Sequence, residues 1–464
     1  MGALTFIVYN ENYKIYSIEF TNNFLKMKNK GPDDTNYVIE HSLNINKISN
    51  DILKMSLSRS ELKNYLLHTF IYKYHRLSIH DSSIDANQPF EDPIMHKIKR
   101  YPDLRMRTKK KLLCDGVIYN YNQLMEYEKF TDKDIQSSCD VEIILPLYIK
   151  YGIEQTLNMI EGDFSLILTE NTNTFVLKDI NIFCARDKYG IRPLYFIKHN
   201  DFYMFTSDMI SVPSFILKDT LNYTIEPVPP GCYWTSQTNT FKRFTDYTPR
   251  LKELSIISKT DPETLMHIYK SIKELITNSV NTRLYNTNDT DKCMGFLFDE
   301  HNNFDSILLI TIALKMLNSS FTKDIHIFFI NEHTEFIEFL EKSFNYLNLK
   351  FHIIHTINTQ NYLESMLNYI HINNIPSNVL LSSYGLSQIW NNMNIDFVNN
   401  FLYSIEIRFP FLDSNLTNYI QSLDSLLKEK RSYKANSNPI DKYIIRKTFE
   451  DSQLLPYELL WIET

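Results

Sequence analysis

The chain has 464 residues, of which 43% are hydrophobic and 22% charged, and its net charge is −7. The length predicts two or three domains, and the acidic balance excludes the basic footprint of a nucleic-acid-binding protein. No apolar run reaches bilayer-spanning length and no signal peptide is recognisable, which predicts no membrane partner and a cytoplasmic location. Five scattered cysteines lack metal-ligand spacing, so we expect reduced thiols and no metal site.

The first half of the chain predicts a layered α+β domain. One helix is predicted at Asp140–Tyr151, where apolar residues recur at helical spacing, with Gly152 as its C-cap. The strands are predicted where short β-rich runs are separated by polar turns. These runs are 3–9, Leu112–Ile118, Phe164–Leu168, Thr174–Leu177, Phe202–Ser207 and 232–234.

The second half shows a different rhythm after a polar, loop-like segment at 236–262. Helical and continuously apolar strand-like segments alternate there, which is typical of a doubly wound parallel sheet. Helices are predicted at Pro262–Leu284, from Ile307, at Glu335–Leu347 and at Tyr362–Ile370, and strands at Met294–Phe298, His326–Ile330, Phe351–His355 and Val379–Ser382. Ligands of such sheets bind at the carboxyl ends of the strands, which directs attention to the loops after Phe298 and Ser382.

The central stretch Lys111–Leu124, KLLCDGVIYNYNQL, combines an apolar strand with a glycine-centred turn. With four other segments, in the same order and at similar intervals, it resembles the glutamine amidotransferase domain of the glutamine-hydrolysing asparagine synthetases. Those segments are Gly31–Asp33, Tyr74–Ile79, Cys139–Leu145 and Ala185–Tyr195. The later segments Ile405–Asp413 and Lys442–Lys447 match the synthetase domain of the same family.

The resemblance implies two domains. The first, at 1–235, is an amidotransferase-type (Ntn-like) αββα layered sandwich. After the linker at 236–262, a doubly wound parallel α/β domain of the PP-loop ATP pyrophosphatase type is expected at 263–464, shortened relative to the family. The reaction implied is ATP-dependent amidation of aspartate with ammonia derived from glutamine.

The resemblance also locates the glutaminase site, and there this chain departs from it. The family's nucleophile is a cysteine at the mature N-terminus, activated by its own amino group. Gly2 stands at that position, and no cysteine lies within the first hundred residues. The oxyanion position carries Asp115-Gly116 instead of Asn-Gly, and a carboxylate would repel a developing oxyanion. We therefore expect no catalytic residue in this half.

Three residues at this site match the substrate-binding residues of the family. Arg76 corresponds to the arginine that grips the α-carboxylate of glutamine, and Asp140 to the acid that holds its ammonium group. Gly116 would let the backbone close over the ligand. The alternative interpretation is that Arg76 and Asp140 are structural ion-pair residues, and the sequence leaves both readings open.

The nucleotide site departs as well. Where the family has Ser-Gly-Gly-Leu-Asp-Ser, this chain reads His301–Ser306: Asp305 and Ser306 match, whereas Asn302 and Asn303 replace the glycines that bring backbone N–H groups to phosphate. Asp305 is expected to cap a helix instead of binding magnesium. In the second loop, Ser387-Gln388 replaces an acidic pair. ATP and Mg²⁺ are implied by resemblance, and these losses predict weak or absent binding.

The leading hypothesis is a family member with both active sites degraded, a pseudoenzyme with a binding or scaffolding role. The alternatives are a functional asparagine synthetase whose departures are compensated, and a non-hydrolysing glutamine sensor. Glutamine and aspartate are the small-molecule partners that the resemblance implies. A homodimer or another protein partner is compatible with every reading.

Overall fold

The computed structural model describes two compact units, one up to residue 245 and one from residue 261 onward. The described residues are 2–10, 17–43, 66–92, 109–171, 181–200, 202–245, 261–285, 293–298, 303–317, 325–330, 338, 340–341, 345, 353–357, 369–370, 372, 377–390, 405–432, 438–451 and 454–461.

The first unit contains two antiparallel sheets of six strands each. In the order β10-β8-β9-β1-β3-β2, the first sheet comprises Thr224–Pro227, Tyr195–His199, Phe202–Thr206, Gly2–Asn10, Leu66–Arg76 and Asp34–Leu43. In the order β12-β11-β7-β6-β5-β4, the second comprises Thr240–Arg243, Cys232–Thr235, Asn181–Arg186, Gly162–Asn171, Lys109–Ile118 and Phe90–Glu91.

Three apolar clusters make this unit an αββα sandwich. The middle cluster joins the two sheets, because Phe6 of β1 and Leu113 of β5 belong to it together with Trp234. A second cluster packs the helix Ile144–Met159 on the second sheet, and a third packs Phe20 on the outer face of the first. The helices of this unit are Ser17–Leu25, Tyr121–Glu128, Ile144–Met159 and Ser214–Lys218, with short 3₁₀ turns at Lys28–Lys30, Ile84–Ala86, Asp140–Ile143 and Met209–Ser211.

Two details differ from the sequence prediction. Gly152 kinks the helix instead of ending it: its φ of +76° interrupts the helical backbone, and helix resumes as far as Met159. The segment predicted as a linker begins within the first unit, because β12 (Thr240–Arg243) pairs with β11. A polar sequence conceals this strand because it lies at the edge of its sheet, where only one side is hydrogen-bonded.

The second unit is built on a parallel sheet in the order β15-β14-β13-β16-β17. These strands are Ile353–Ile357, Ile325–Ile330, Cys293–Phe298, Ser377–Ser382 and Glu406–Arg408. Continuous apolar sequence such as that of β13 suits strands that are covered on both faces. The helices are Pro262–Tyr285, Asn303–Leu317, Leu386–Trp390, Ser414–Ser422, Ser425–Lys428, Tyr443–Glu450 and Tyr457–Leu460, with a 3₁₀ turn at Pro410–Leu412.

Three predicted segments fall wholly or mostly outside the described residues: the strand Thr174–Leu177 and the helices Glu335–Leu347 and Tyr362–Ile370. The two-domain α/β fold expected from the sequence is confirmed. Within the described ranges, no helix has both the length and the apolar character needed to cross a membrane.

Candidate functional site

Position 2 is closed by the pairing of strands β1 and β3. This pairing continues to the first described residue, where Gly2 stands opposite Arg76. A Cβ built on Gly2 would lie 1.7 Å from the carbonyl oxygen of His75, a separation that real side chains do not adopt. The backbone at position 2, as it stands, accepts only glycine.

His75 is itself held firmly from three directions. Its ring stacks on Phe24 with 3.9 Å between centroids. Its Nε2 lies 2.9 Å from the Phe24 carbonyl oxygen, and its Nδ1 lies 2.9 Å from Oγ1 of Thr35. Gly31 packs against the same backbone, since a Cβ there would lie 2.4 Å from the His75 carbonyl oxygen. The obstruction at position 2 is therefore part of a buried arrangement held by several contacts.

Asp115 faces Gly2 directly. The backbone N–H of Gly2 donates to Oδ1 of Asp115 over 2.9 Å, and both groups are buried. The neighbouring Gly116 is needed for strand packing, because a Cβ there would lie 2.3 Å from the Asp163 carbonyl oxygen on β6. The carboxylate therefore serves as an acceptor for a backbone donor at the site where an oxyanion would need donors.

The three residues predicted to bind substrate, Arg76, Gly116 and Asp140, line one pocket. Its empty space, including the part open to solvent, is about 320 Å³. The remaining lining residues are Tyr74, Leu77, Ser78, Ile79, His80, Asp81, Ala86, Gln88, Cys139 and Val141.

The guanidinium group of Arg76 contacts one wall of this pocket. It donates to the Ser83 carbonyl oxygen over 2.6 Å, to Oδ1 of Asn87 over 2.9 Å, and to the Asp81 carbonyl oxygen. Arg76 is buried, with 6% of its surface exposed. These bonds fix the segment 81–87, so Arg76 has a structural role whether or not it also contacts a ligand.

Asp140 begins the 3₁₀ turn Asp140–Ile143, and its Oδ2 accepts the backbone N–H of Ile118. Its Oδ1 lies 4.0 Å from Nε2 of His80. The adjacent Cys139 also lines the pocket, but burial and the Asp140 carboxylate raise the pKa of its thiol to about 12. A thiol that stays protonated near neutral pH is a poor nucleophile, so Cys139 is not suited to that role.

In the second unit, Asp305 lies in the first turn of the helix Asn303–Leu317 and is 1% exposed. The ammonium group of Lys442 donates to both of its carboxylate oxygens, over 2.7 and 2.6 Å. Ser387 completes a triangle: it accepts from Lys442 over 2.6 Å and donates to Oδ2 of Asp305 over 2.8 Å. Asp305 does not stand at the capping position that the sequence predicted, because it is the third residue of the helix Asn303–Leu317.

Ser306 and the loop after β16 lie beside this triangle. The hydroxyls of Ser306 and Ser383 are 2.9 Å apart, and the Gly385 N–H donates to Oε1 of Gln388 over 2.8 Å. Gly385 has a φ of +114°, a conformation that favours glycine. Polar side chains in this loop thus bond to one another and to the helix start.

The glutamine amidotransferase domain family matches residues 63–247. A probable glutamine-hydrolysing asparagine synthetase of Acanthamoeba polyphaga mimivirus is 27% identical, over 99% of this chain and 83% of its own. The asparagine synthetase of Cricetulus griseus is 26% identical, over 84% of this chain and 75% of its own.

The chain is thus related, over most of its length, to the glutamine-hydrolysing asparagine synthetases. Among solved structures, that of the allosteric regulatory enzyme of purine biosynthesis aligns with 76% of this chain and 80% of its own. Its sequence identity is 12% and its TM-score 0.36, a likeness too weak to support an inference.

Within this relative of the asparagine synthetases, the sequence-predicted residues fall into three groups. Arg76, Gly116 and Asp140 come together at the pocket, and Gly2 and Asp115 bond to each other. Asp305 and Ser306 lie at the helix start, where Asn303 is its first residue, whereas Asn302 lies outside the described residues.

Relationship to this family implies a magnesium ion and ATP, and the described residues of the second unit do not fit the magnesium ion. The carboxylate best placed for a cation, that of Asp305, is bonded through both oxygens to Lys442. Across the described ranges there is no group of three or more His, Cys, Asp or Glu side chains that could hold a metal ion. We derive no chemical step through either group.

The contacts that two residues make at these sites were not predicted from the sequence. The side chain of Gln88 makes two hydrogen bonds with the backbone of Cys114. Its Nε2 donates to the Cys114 carbonyl oxygen over 2.8 Å, and its Oε1 accepts the Cys114 N–H over 2.6 Å. Lys442 was recognised as part of a matching segment, but its partner lies 137 residues away. Neither residue carries a local signal, because each acts through a long-range contact.

Proposed function

We propose that this chain is a catalytically silent member of the asparagine synthetase family that acts by binding or as a scaffold. It would hydrolyse no glutamine, and it would neither bind Mg²⁺-ATP tightly nor amidate aspartate. We place it in the cytoplasm, as a homodimer or with another protein.

The observation that carries the proposal is the closure of position 2. A nucleophile there needs a side chain, and a Cβ would overlap the His75 carbonyl oxygen at 1.7 Å. Replacement of glycine would require the β1–β3 pairing to open at its end, against a histidine held by a ring stack and two hydrogen bonds. The loss of the nucleophile is thus supported by the surrounding structure as well as by the residue type.

The oxyanion position supports the same conclusion. Loss of one oxyanion donor costs about two to three orders of magnitude in rate in other enzymes. Asp115 offers only an acceptor at this place, and its Oδ1 already binds the Gly2 N–H. Even a nucleophile from elsewhere would leave the developing negative charge facing a carboxylate.

The decisive measurement is ammonia release from L-glutamine by the purified full-length chain, with an intact family member as positive control. We expect a rate equal to that of a heat-inactivated sample. ATP–pyrophosphate exchange in the presence of aspartate tests the second unit in the same preparation. Release or exchange clearly above background would overturn the proposal for that half.

A matched variant identifies the origin of any residual release. Cys139 is the pocket thiol, so Cys139→Ser removes a replacement nucleophile if one operates there. Release that disappears in this variant would mean that the chain catalyses through Cys139. Release that persists unchanged would direct the search to a contaminating glutaminase, which is checked by repurification over a second affinity step.

A second candidate, a non-hydrolysing glutamine sensor, is favoured by the pocket itself. Arg76 and Asp140 lie at one pocket, and nothing there would consume the bound amino acid. Against it stands the engagement of Arg76 with three acceptors of the segment 81–87. Glutamine-dependent thermal stabilisation separates the sensor from a pure scaffold.

A further inference from the structure

Three segments that are distant in sequence meet at one buried ammonium group. Lys442 precedes the helix Tyr443–Glu450, Asp305 lies in the first turn of the helix Asn303–Leu317, and Ser387 belongs to the helix Leu386–Trp390 that follows β16. All three polar groups are bonded to one another within 2.6–2.8 Å. The ammonium therefore occupies the centre of a closed polar cluster.

The backbone at Lys442 is unusual. Its φ of +55° places a non-glycine residue in the left-handed region, which costs on the order of 1 kcal/mol and persists only where the surroundings hold it. Lys442 is also 5% exposed. A long cationic side chain in a strained, buried position indicates that its contacts with Asp305 and Ser387 stabilise this conformation.

A second cation, on the helix that Lys442 precedes, supports the arrangement. The guanidinium of Arg446, one turn beyond Lys442, lies 4.1 Å from the ring centroid of Phe304, the residue before Asp305. It also donates to the Leu460 carbonyl oxygen over 2.7 Å. Two protein cations, therefore, approach the start of the helix Asn303–Leu317, where family members place glycines for phosphate.

We propose that Lys442 is the permanent counterion of Asp305 and takes the place of the metal–nucleotide complex as the link between these three segments. The second unit would then reach its fully ordered state without any divalent cation or nucleotide. This goes beyond the loss of activity, because it states what holds the unit together. An inactive protein whose Lys442 contributes nothing would refute it and leave the proposed function intact.

A double-mutant cycle on the full-length chain tests the pair. Lys442→Met and Asp305→Asn each leave a buried polar partner unsatisfied, so each should lower the melting temperature of the second unit by roughly 5 °C or more. The double variant Lys442→Met/Asp305→Asn should lose clearly less than the sum of the two. Lys447→Met is the matched control: Lys447 pairs with Glu450 on the same helix but is partly exposed, and a small change is expected.

Hydrogen exchange gives the local readout. Peptides covering 303–317, 382–390 and 442–450 should keep the same protection in wild-type protein with EDTA and with Mg²⁺-ATP. In Lys442→Met all three should lose protection together. Protection that depends on Mg²⁺-ATP in the wild type, or single-variant effects that simply add, would overturn the proposal.

Even if Lys442→Met does not fold, the variants still test whether Lys442 and Asp305 are coupled. If the double variant folds where Lys442→Met does not, the two residues are coupled as proposed. If the double variant also fails while Asp305→Asn folds normally, Lys442 acts independently of Asp305 and the proposal falls. Ser387→Ala keeps the ion pair, so it should fold and lose protection chiefly in the 382–390 peptide.

Discussion

The backbone N–H of Gly2 donates a 2.9 Å hydrogen bond to the carboxylate of Asp115, 113 residues further along the chain. The bond joins the end of β1 in one sheet to β5 in the other. The two departures from the family sequence, Gly2 and Asp115, are thus structurally linked. Gly2 has no side chain, and the Asp115 carboxylate accepts its backbone N–H. This bond gives both residues a structural role.

Gly2→Cys should not restore glutaminase activity, and it should destabilise the first unit. The clash arises at Cβ, so Gly2→Ala and Gly2→Cys should lose similar stability, about 1–3 kcal/mol. Urea unfolding of both variants measures the loss, and ammonia release measures activity. Robust hydrolysis by the single Gly2→Cys variant would mean that the end of β1 opens freely.

The same obstacle limits the combination Gly2→Cys/Asp115→Asn, which offers the best chance of rescue provided that Met1 is removed to free the cysteine amine. It restores a thiol and an amide donor, but the Cβ must still displace the His75 carbonyl. We therefore expect at most slow hydrolysis, with lower stability than the wild type. Hydrolysis at the rate of an intact family member would show that His75 is no obstacle.

Two replacements of Asp115 separate the effect of its charge on stability from the effect of its hydrogen bond with Gly2. Asp115→Asn keeps an oxygen that accepts the Gly2 N–H, so we expect little change in stability. Asp115→Ala leaves that buried donor unsatisfied and should cost about 1–3 kcal/mol. The two variants are compared by chemical denaturation, and equal losses would imply that the Gly2 bond contributes nothing.

Much of the fold could be predicted because burial leaves a local pattern. The strands predicted at Met294–Phe298 and His326–Ile330 each begin one residue earlier in the structure, and the amphipathic stretch from Pro262 is a helix. The long strand β3 (Leu66–Arg76) was not predicted from the sequence. It contains the polar residues Lys73 and His75, which are buried only because neighbouring elements cover them. Periodicity cannot reveal burial that other parts of the chain provide.

The candidate sites were predictable only in part, for a similar reason. Family motifs identified Arg76 and Asp140, and the structure brings both to one pocket. The motif could not reveal that Arg76 holds the segment 81–87, or that Lys442 binds Asp305. Those partners are chosen by the fold, and a residue's type and neighbours in sequence do not specify them.

The pH dependence of stability should report on Asp187. Burial and the neighbouring Asp163 carboxylate raise the pKa of Asp187 from 3.8 to about 6, although the backbone N–H groups of Tyr189, Ile191 and Arg192 bind it. An acid whose pKa is raised in the folded state stabilises the fold below pH 3.8. That contribution is lost as pH rises through about 6.

Asp163→Asn removes the like charge, so the pKa of Asp187 should fall and the loss across this window should shrink. Urea unfolding at about pH 4, 5, 6 and 7 should give a difference between variant and wild type that rises with pH, by about 1 kcal/mol in total. The Tyr119 hydroxyl donates to Oδ2 of Asp163 over 2.7 Å, and the amide side chain of the variant still offers an oxygen that accepts this bond. A difference that is flat or falls with pH would exclude the coupling between the two carboxylates.

Magnesium-ATP should bind weakly or not at all. Asp305 is neutralised by Lys442, and Ser387 stands where the family has an acid. Calorimetric titration of the full-length chain with ATP, with and without excess Mg²⁺, should give no resolvable heat of binding at micromolar concentrations. Magnesium-dependent micromolar affinity would contradict the proposal that the second unit is non-catalytic.

If the pocket binds glutamine, binding should depend on the planar guanidinium group of Arg76. Bound glutamine at a hundredfold excess over its dissociation constant stabilises the folded state by about 2.7 kcal/mol. Arg76→Ala should abolish the glutamine-induced rise in melting temperature, and Arg76→Lys should weaken it because a point charge replaces a planar fork. Both variants also lose bonds to the segment 81–87, so the quantity compared is the shift with and without ligand.

Asp140→Asn is the companion variant, since it leaves the bonds of Arg76 intact while removing the charge expected to hold the ammonium group. It should lose the glutamine-induced shift at little cost to the contacts of the 81–87 segment. D-Glutamine serves as the control ligand, because a pocket that grips both α-substituents distinguishes the enantiomers. If millimolar L-glutamine leaves the melting curve of the wild type unmoved, the sensor is excluded, and Arg76 and Asp140 are residues of the fold alone.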